Sequence, residues 1–166
     1  QRWPEALVVH RLDMATSGLL VFARSPEVQS LLNRAFAERR VSKRYIAIVH
    51  GKVEGSSGTI DLPLRADWPN RPRQIVDPVA GKPSVTQWRQ IDTASTDCGT
   101  RLELRPVTGR SHQLRVHLRT IGHPIVGDRL YGPLDGAPRL MLHASQLDLT
   151  HPLTGRPFEV ESTAPF

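Results

Sequence analysis

A single cysteine, Cys98, in 166 residues rules out an internal disulfide framework and fits a reducing compartment. Standing before Gly99, it is read as a small turn residue rather than a reactive thiol. No run approaches the ~18 consecutive apolar residues of a membrane helix. No basic-then-apolar leader stands at the start, so a cytoplasmic protein without membrane association is expected. A glycine-rich phosphate loop is missing as well. The histidines include no His-x-x-x-His pair, and one cysteine removes the usual zinc sets, so neither cofactor nor metal is expected. Aromatic residues make up only 5%, and repeats and low-complexity segments are lacking. Acidic side chains are also scarce, with 16 against 22 lysines and arginines, for a net charge of +6.

What is present is the composition of an ordinary folded protein, 39% apolar and 23% charged, long enough for one domain spanning residues 1–166. The excess cations are clustered. Arg39, Arg40, Lys43 and Arg44 form one group; Arg65, Arg71 and Arg73 a second; Arg105, Arg110, Arg115 and Arg119 a third. Guanidinium grips phosphate in a bidentate fashion, so clustered arginine points to a polyanion, with nucleic acid leading.

Hydrophobic spacing gives the elements. Ala6 to Val9 reads as a buried strand, and Leu19 to Phe22 as a second apolar run. Ser25-Pro26-Glu27 has the capping hydroxyl, first-turn proline and early acid of a helix start. Val28, Leu31, Leu32, Ala35 and Phe36 then predict one amphipathic helix over 26–40, with Arg39 and Arg40 in its last turn. Residues 45–49, 59–64, 85–88, 101–104, 140–149 and 158–160 read as strands, with turns at 55–58, 93–97 and 152–157. Trp68 to Pro72 is a proline-rich polar loop with one exposed-looking aromatic. Leu114, Leu118 and Ile121 predict a second helix at about 111–121, stopped by Gly122 and Pro124. Many strands and two helices imply an α+β fold with a mixed, largely antiparallel sheet.

Functional groups gather in three places: Asp13 on a turn after an apolar run, Tyr45 behind Lys43 and Arg44, and His112 with Arg115 near a helix start. Standing alone, Asp13 would be read as an ordinary turn aspartate. His10-Arg11-Leu12-Asp13-Met14-Ala15-Thr16-Ser17-Gly18-Leu19-Leu20, however, resembles the catalytic motif of the RluA family of RNA pseudouridine synthases. Lys43 to Val49 resembles that family's tyrosine motif, and Gly109 to His117 its arginine motif. Gly122 to Asp128 and Leu140 to Ala144 complete the order.

The resemblance implies the pseudouridine synthase catalytic fold and isomerisation of uridine, an isomerase reaction without cofactor. The segment Asp61 to Leu64 followed by Asp67 to Pro72 is associated with a subgroup acting on 23S rRNA and a tRNA anticodon stem-loop. Structured RNA is thus the implied partner, with no protein partner and a monomer as the default. Asp13 is implied as the catalytic carboxylate, as either nucleophile or base. Arg115 is implied to pair with it and hold it ionised. Tyr45 is implied to stack on the target base, with Leu142 or Met141 as the apolar floor. Arg11 would fill the space left by a flipped nucleotide. His112 is implied to order RNA or a neighbouring backbone, and Lys43, Arg71, Arg73 and Arg110 to meet RNA. Relatives carry a strand with a Lys-Pro-x-Gly signature before the catalytic motif. Here Gln1 stands twelve residues before Asp13, so a catalytic fold lacking that segment is expected.

Two other readings compete. A non-catalytic RNA-binding module of the same fold would not require Asp13, Tyr45 and Arg115. A glycosidase would want a second acid across the cleft; Asp128 and Glu103 are the nearest candidates, and neither has the expected context.

Overall fold

A computed structural model describes residues 3–96 and 99–166. Cys98 and the end of the expected 93–97 turn lie outside them. The strands run in chain order: β1 (Leu7–Val8), β2 (Ser17–Gly18), β3 (Phe22–Ala23), β4 (Ser42–Val49), β5 (Ser57–Asp61), β6 (Leu64–Ala66), β7 (Gln74–Val76), β8 (Val85–Thr96), β9 (Gly99–Pro106), β10 (Leu142–Thr150) and β11 (Pro157–Glu161). Helix α1 spans Pro26–Ala37 and α2 spans Gln113–Thr120, with a 3-10 turn at Trp68–Asn70. The main sheet has the order β11-β10-β4-β9-β8-β5, antiparallel throughout, with β2 pairing β10 in parallel. The expected α+β class with a largely antiparallel sheet holds.

Alternation along the central strands explains the core. Leu102 and Leu104 on β9 are fully buried and pack with Ala47, Leu114, Leu118 and Leu142, so α2 covers the inner face. Each such leucine contributes ~2 kcal/mol of transfer free energy. Glu103, between them, points the other way and is ringed by Arg44, Arg89 and Arg105 at 3.5, 3.0 and 2.9 Å. A second cluster seats α1, through Leu32 and Ala35, on Ala23, Val41, Leu147 and Leu149.

Several boundaries differ from expectation. Helix α1 starts as predicted, with Ser25 Oγ accepting from the Val28 amide at 3.3 Å. It ends at Ala37 rather than residue 40, because Arg39 takes φ +58 and turns the chain toward β4. The expected 6–9 strand shrinks to Leu7–Val8, and Val8 is 59% exposed, since its two-stranded ladder with β3 lies outside the main sheet. The predicted 93–97 turn is largely strand, β8 continuing to Thr96. Helix α2 begins at Gln113, with His112 before it in the left-handed region at φ 54. Among the described residues, no helix is long and apolar enough to cross a membrane.

A candidate active site built around Asp13

The Asp13 turn is held from both sides. Upstream, His10 stacks on Phe36 at 4.6 Å between ring centroids, and its Nε2 accepts from the Val21 amide at 3.0 Å. Burial, reinforced by the charge of Lys43, pushes its pKa down to about 4, so this imidazole is neutral. Downstream, Thr16 N donates to Asp13 O at 2.9 Å, and Gly18 lies against β10 at φ +113. A Cβ there would stand 2.3 Å from Ala144 O, so only glycine allows this approach.

Between these anchors, the turn borders a cavity of about 520 Å3. Arg11 and Asp13 line it together with Tyr45 and Leu142. Arg39, Lys43 and Arg110 supply cations on the same lining. The size suits one nucleobase with its sugar. Leu142, rather than Met141, faces this space; Met141 packs against the inner core. Burial, and secondarily the charge of Asp13, raises the Tyr45 pKa to about 12, so its hydroxyl keeps its proton at neutral pH. Burial also lowers the pKa of Lys43. An incoming phosphate would offset that.

Arg115 stands between two carboxylates. Its guanidinium lies 3.7 Å from Asp13 Oδ2, but both Nε and Nη2 donate to Asp128 at 2.7 Å. Asp128 is its main counter-ion. Burial opposes the Arg115 charge, yet hydrogen bonding and attraction to Asp128 raise its pKa above the ordinary value. Asp128 is 1% exposed, and its Oδ1 also accepts from the Leu130 and Tyr131 amides at 3.0 and 3.1 Å. Gly127 at φ +75 makes this turn possible, since a Cβ there would meet Arg139 O at 1.9 Å. Arg115 is thus an internal group and not part of a phosphate-gripping surface.

His112 also does something unforeseen. Its Nδ1 lies 2.7 Å from the Tyr131 hydroxyl, which accepts from the Gln74 amide at 2.7 Å. The phenol thus links the β6–β7 hairpin to the imidazole, whose pKa is lowered chiefly by burial. Its partner is therefore a side chain, not a neighbouring backbone. Gln113 was missed too. Buried at 3% exposure, its Oε1 accepts from Thr108 Oγ1 and Arg110 N at 2.7 and 3.0 Å, fixing the loop that walls the cavity. Arg71 and Arg73 stand apart from the cavity, on the β6–β7 hairpin. Among the described residues no group of three or more His, Cys, Asp or Glu side chains could hold a metal ion. His117 and His143 are engaged in internal hydrogen bonds.

Comparison with known proteins places the chain in a family. Residues 3–120 match the family described as RNA pseudouridylate synthase. The chain is 47% identical to the dual-specificity RNA pseudouridine synthase RluA of Escherichia coli K12, covering 99% of this chain and 76% of that protein. It is 48% identical to the protein of the same name from Yersinia pestis, covering 99% of this chain and 81% of that one. Among solved structures, human RNA pseudouridylate synthase domain containing 1 superposes with a TM-score of 0.86 at 35% identity, covering 99% of this chain and 71% of that one. The α+β sheet, the arrangement around Asp13 and these matches lead to one conclusion: the chain belongs to the RNA pseudouridylate synthase family, a family of isomerases.

Proposed function

We propose that this chain isomerises uridine to pseudouridine in structured RNA, with Asp13 as the catalytic carboxylate. The observation that carries the reading is the convergence of Arg11, Asp13, Tyr45 and Leu142 on one base-sized cavity, with Arg115 beside the acid. The reaction breaks the N–C1′ bond, turns the base and forms a C–C1′ bond, with no net redox change. Asp13 acts by adding to C1′ or by removing a ribose proton. Arg115, fixed by Asp128, orients that carboxylate and balances its charge. Tyr45 stacks on the base and keeps its hydroxyl as a donor, while Leu142 forms the floor.

A uridine within a stacked loop reaches Asp13 only when flipped out, at a cost of a few kcal/mol. Arg11, exposed beside Asp13, fills the vacated space, and Arg39, Lys43 and Arg110 meet the flanking phosphates. The dual specificity in the relatives' names supports two substrates here, which we assign as 23S rRNA and a tRNA anticodon stem-loop. The protein acts as a monomeric catalytic domain in the cytoplasm.

Incubating the chain with transcribed 23S rRNA and tRNA, then mapping new pseudouridines, tests this directly. Site-specific conversion is expected with wild type. Asp13→Asn, nearly isosteric, should fall below detection while RNA affinity stays within about tenfold. Pseudouridine formed by a verified Asp13→Asn protein would remove Asp13 from the chemistry. The second reading, a binding module of the same fold, would be supported by tight RNA binding without any conversion.

A further inference from the structure

We propose that Trp68 is a base-stacking platform outside the catalytic cavity, which takes an unpaired nucleobase of the RNA whose uridine is modified. This rests on the synthase reading above and adds a second contact point. Trp68 is 65% exposed at the tip of the β6–β7 hairpin. An indole left in water on a tied-down loop calls for a partner, because its apolar area is large.

The loop is built to hold that ring still. The Asp67 amide donates to Arg73 O at 2.9 Å, the Asn70 amide to Asp67 O at 3.1 Å and the Arg73 amide to Asn70 O at 3.0 Å. The Asn70 side chain donates to Asp67 Oδ2 at 3.0 Å, occupying the acid nearest the indole in sequence. One face of the ring is already backed: the Arg71 guanidinium lies 3.4 Å from its centroid. The opposite face is left for a second flat group.

The surroundings select the chemistry of that group. Arg71 and Arg73 are exposed, while the other hairpin acid, Asp77, is ion-paired with Arg65. A flat π surface beside two exposed guanidinium groups suits a nucleotide, with the base on the indole and the phosphate on a guanidinium. The platform is also placed relative to the chemistry. Gln74, on the second strand of the hairpin, donates to Tyr131, which bonds His112, the residue before cavity-lining Gln113. A base on Trp68 and a uridine at Asp13 would therefore be held at a fixed separation.

The test uses the full chain and a uridine-containing RNA stem-loop as probe. Tryptophan emission should be quenched on RNA binding in wild type, and that component should be missing from Trp68→Phe. Affinity should fall about tenfold in Trp68→Ala and by clearly less in Trp68→Phe, which keeps a stacking ring. The kcat/KM for the stem-loop should fall in the same order, with thermal midpoints unchanged because the ring is exposed. RNA binding with identical quenching in wild type and Trp68→Phe would overturn the proposal, as would wild-type affinity in Trp68→Ala. Failure of the synthase reading is separate: wild type would then bind and quench but form no pseudouridine.

Discussion

Asp128 grips Arg115 through two bonds of 2.7 Å, while Asp13 reaches the same guanidinium at 3.7 Å. The unequal sharing gives the two acids different tasks. Asp128 is spent on structure, with its oxygens occupied by Arg115 and two amides. Asp13 keeps a nearby positive charge without being locked to it, as the proposed approach of this carboxylate to a sugar would require. Asp128→Asn should destabilise the fold by about 3 kcal/mol, since it leaves a buried guanidinium without its main counter-ion. The expected kinetic effect is a lower kcat at saturating RNA. Chemical denaturation and single-turnover rates check both; a variant with wild-type stability would show that Asp13 alone suffices.

Tyr45 separates into ring and hydroxyl. Tyr45→Phe keeps the stacking face and should bind RNA normally while slowing turnover. Tyr45→Ala should lose a further ~1–3 kcal/mol of binding. Because the pKa is raised to about 12, no activity change should track phenol ionisation below pH 9. Identical affinities for the two variants would remove the stacking role.

Salt should weaken RNA binding in proportion to the cations free to meet phosphate. Arg39, Lys43 and Arg110 border the cavity, and Arg71 and Arg73 are exposed on the hairpin. Each phosphate neutralised by such a group in a single-stranded loop contributes a slope of about −0.7 in log affinity against log salt. Arg39→Ala should reduce the slope by about that amount. Arg105→Ala should not, because Arg105 is ion-paired to Glu103 on the outer face of the sheet. Equal slopes in the two variants would show that position on the surface does not matter.

Acid should loosen the Asp13 turn. The His10 pKa is about 4 in the fold, against about 6.5 for an ordinary imidazole. The unfolded chain therefore binds the proton first, and stability rises with pH through this window. The contribution is complete above pH ~6.5 and is lost as pH falls toward 4; it amounts to at most about 3 kcal/mol, reduced by partial solvent screening. His10→Asn should flatten the pH dependence of unfolding free energy over that interval. His112, His117 and His143, also lowered by burial, add in the same direction. An unchanged pH slope in His10→Asn would mean that the ring titrates freely.

Local pattern was enough for the α+β class, for α1 from its Ser25-Pro26 start, and for the long antiparallel strands. The motifs singled out Arg11, Asp13 and Tyr45 and left Leu142 or Met141 as the floor; the structure brings Arg11, Asp13, Tyr45 and Leu142 to one cavity lining. Sequence reasoning stopped where pairing depends on three-dimensional register. Asp128 stands thirteen residues beyond Arg115, past the end of α2, and only packing brings them together. One signal was available: an arginine between Leu114 and Val116 on a core-facing helix needs a buried counter-ion. Tyr131 and Gln113 gave no such signal, because their partners, Gln74, His112 and Thr108, come from other elements. The end of α1 was overrun because Arg39 and Arg40 suit a helix terminus equally well one turn later.

The two anchors of the Asp13 turn, His10 on Val21 and Gly18 on Ala144, have a bearing on how a substrate is chosen. Both attach to backbone of neighbouring strands, so the turn has little room to adapt its shape to whatever RNA arrives. Under the proposed function accommodation falls to the nucleic acid, so the ease with which a loop deforms should weigh in its selection. On the proposed function, loops of different sequence but equal pliability are expected to be converted at similar rates, which competition kinetics would check.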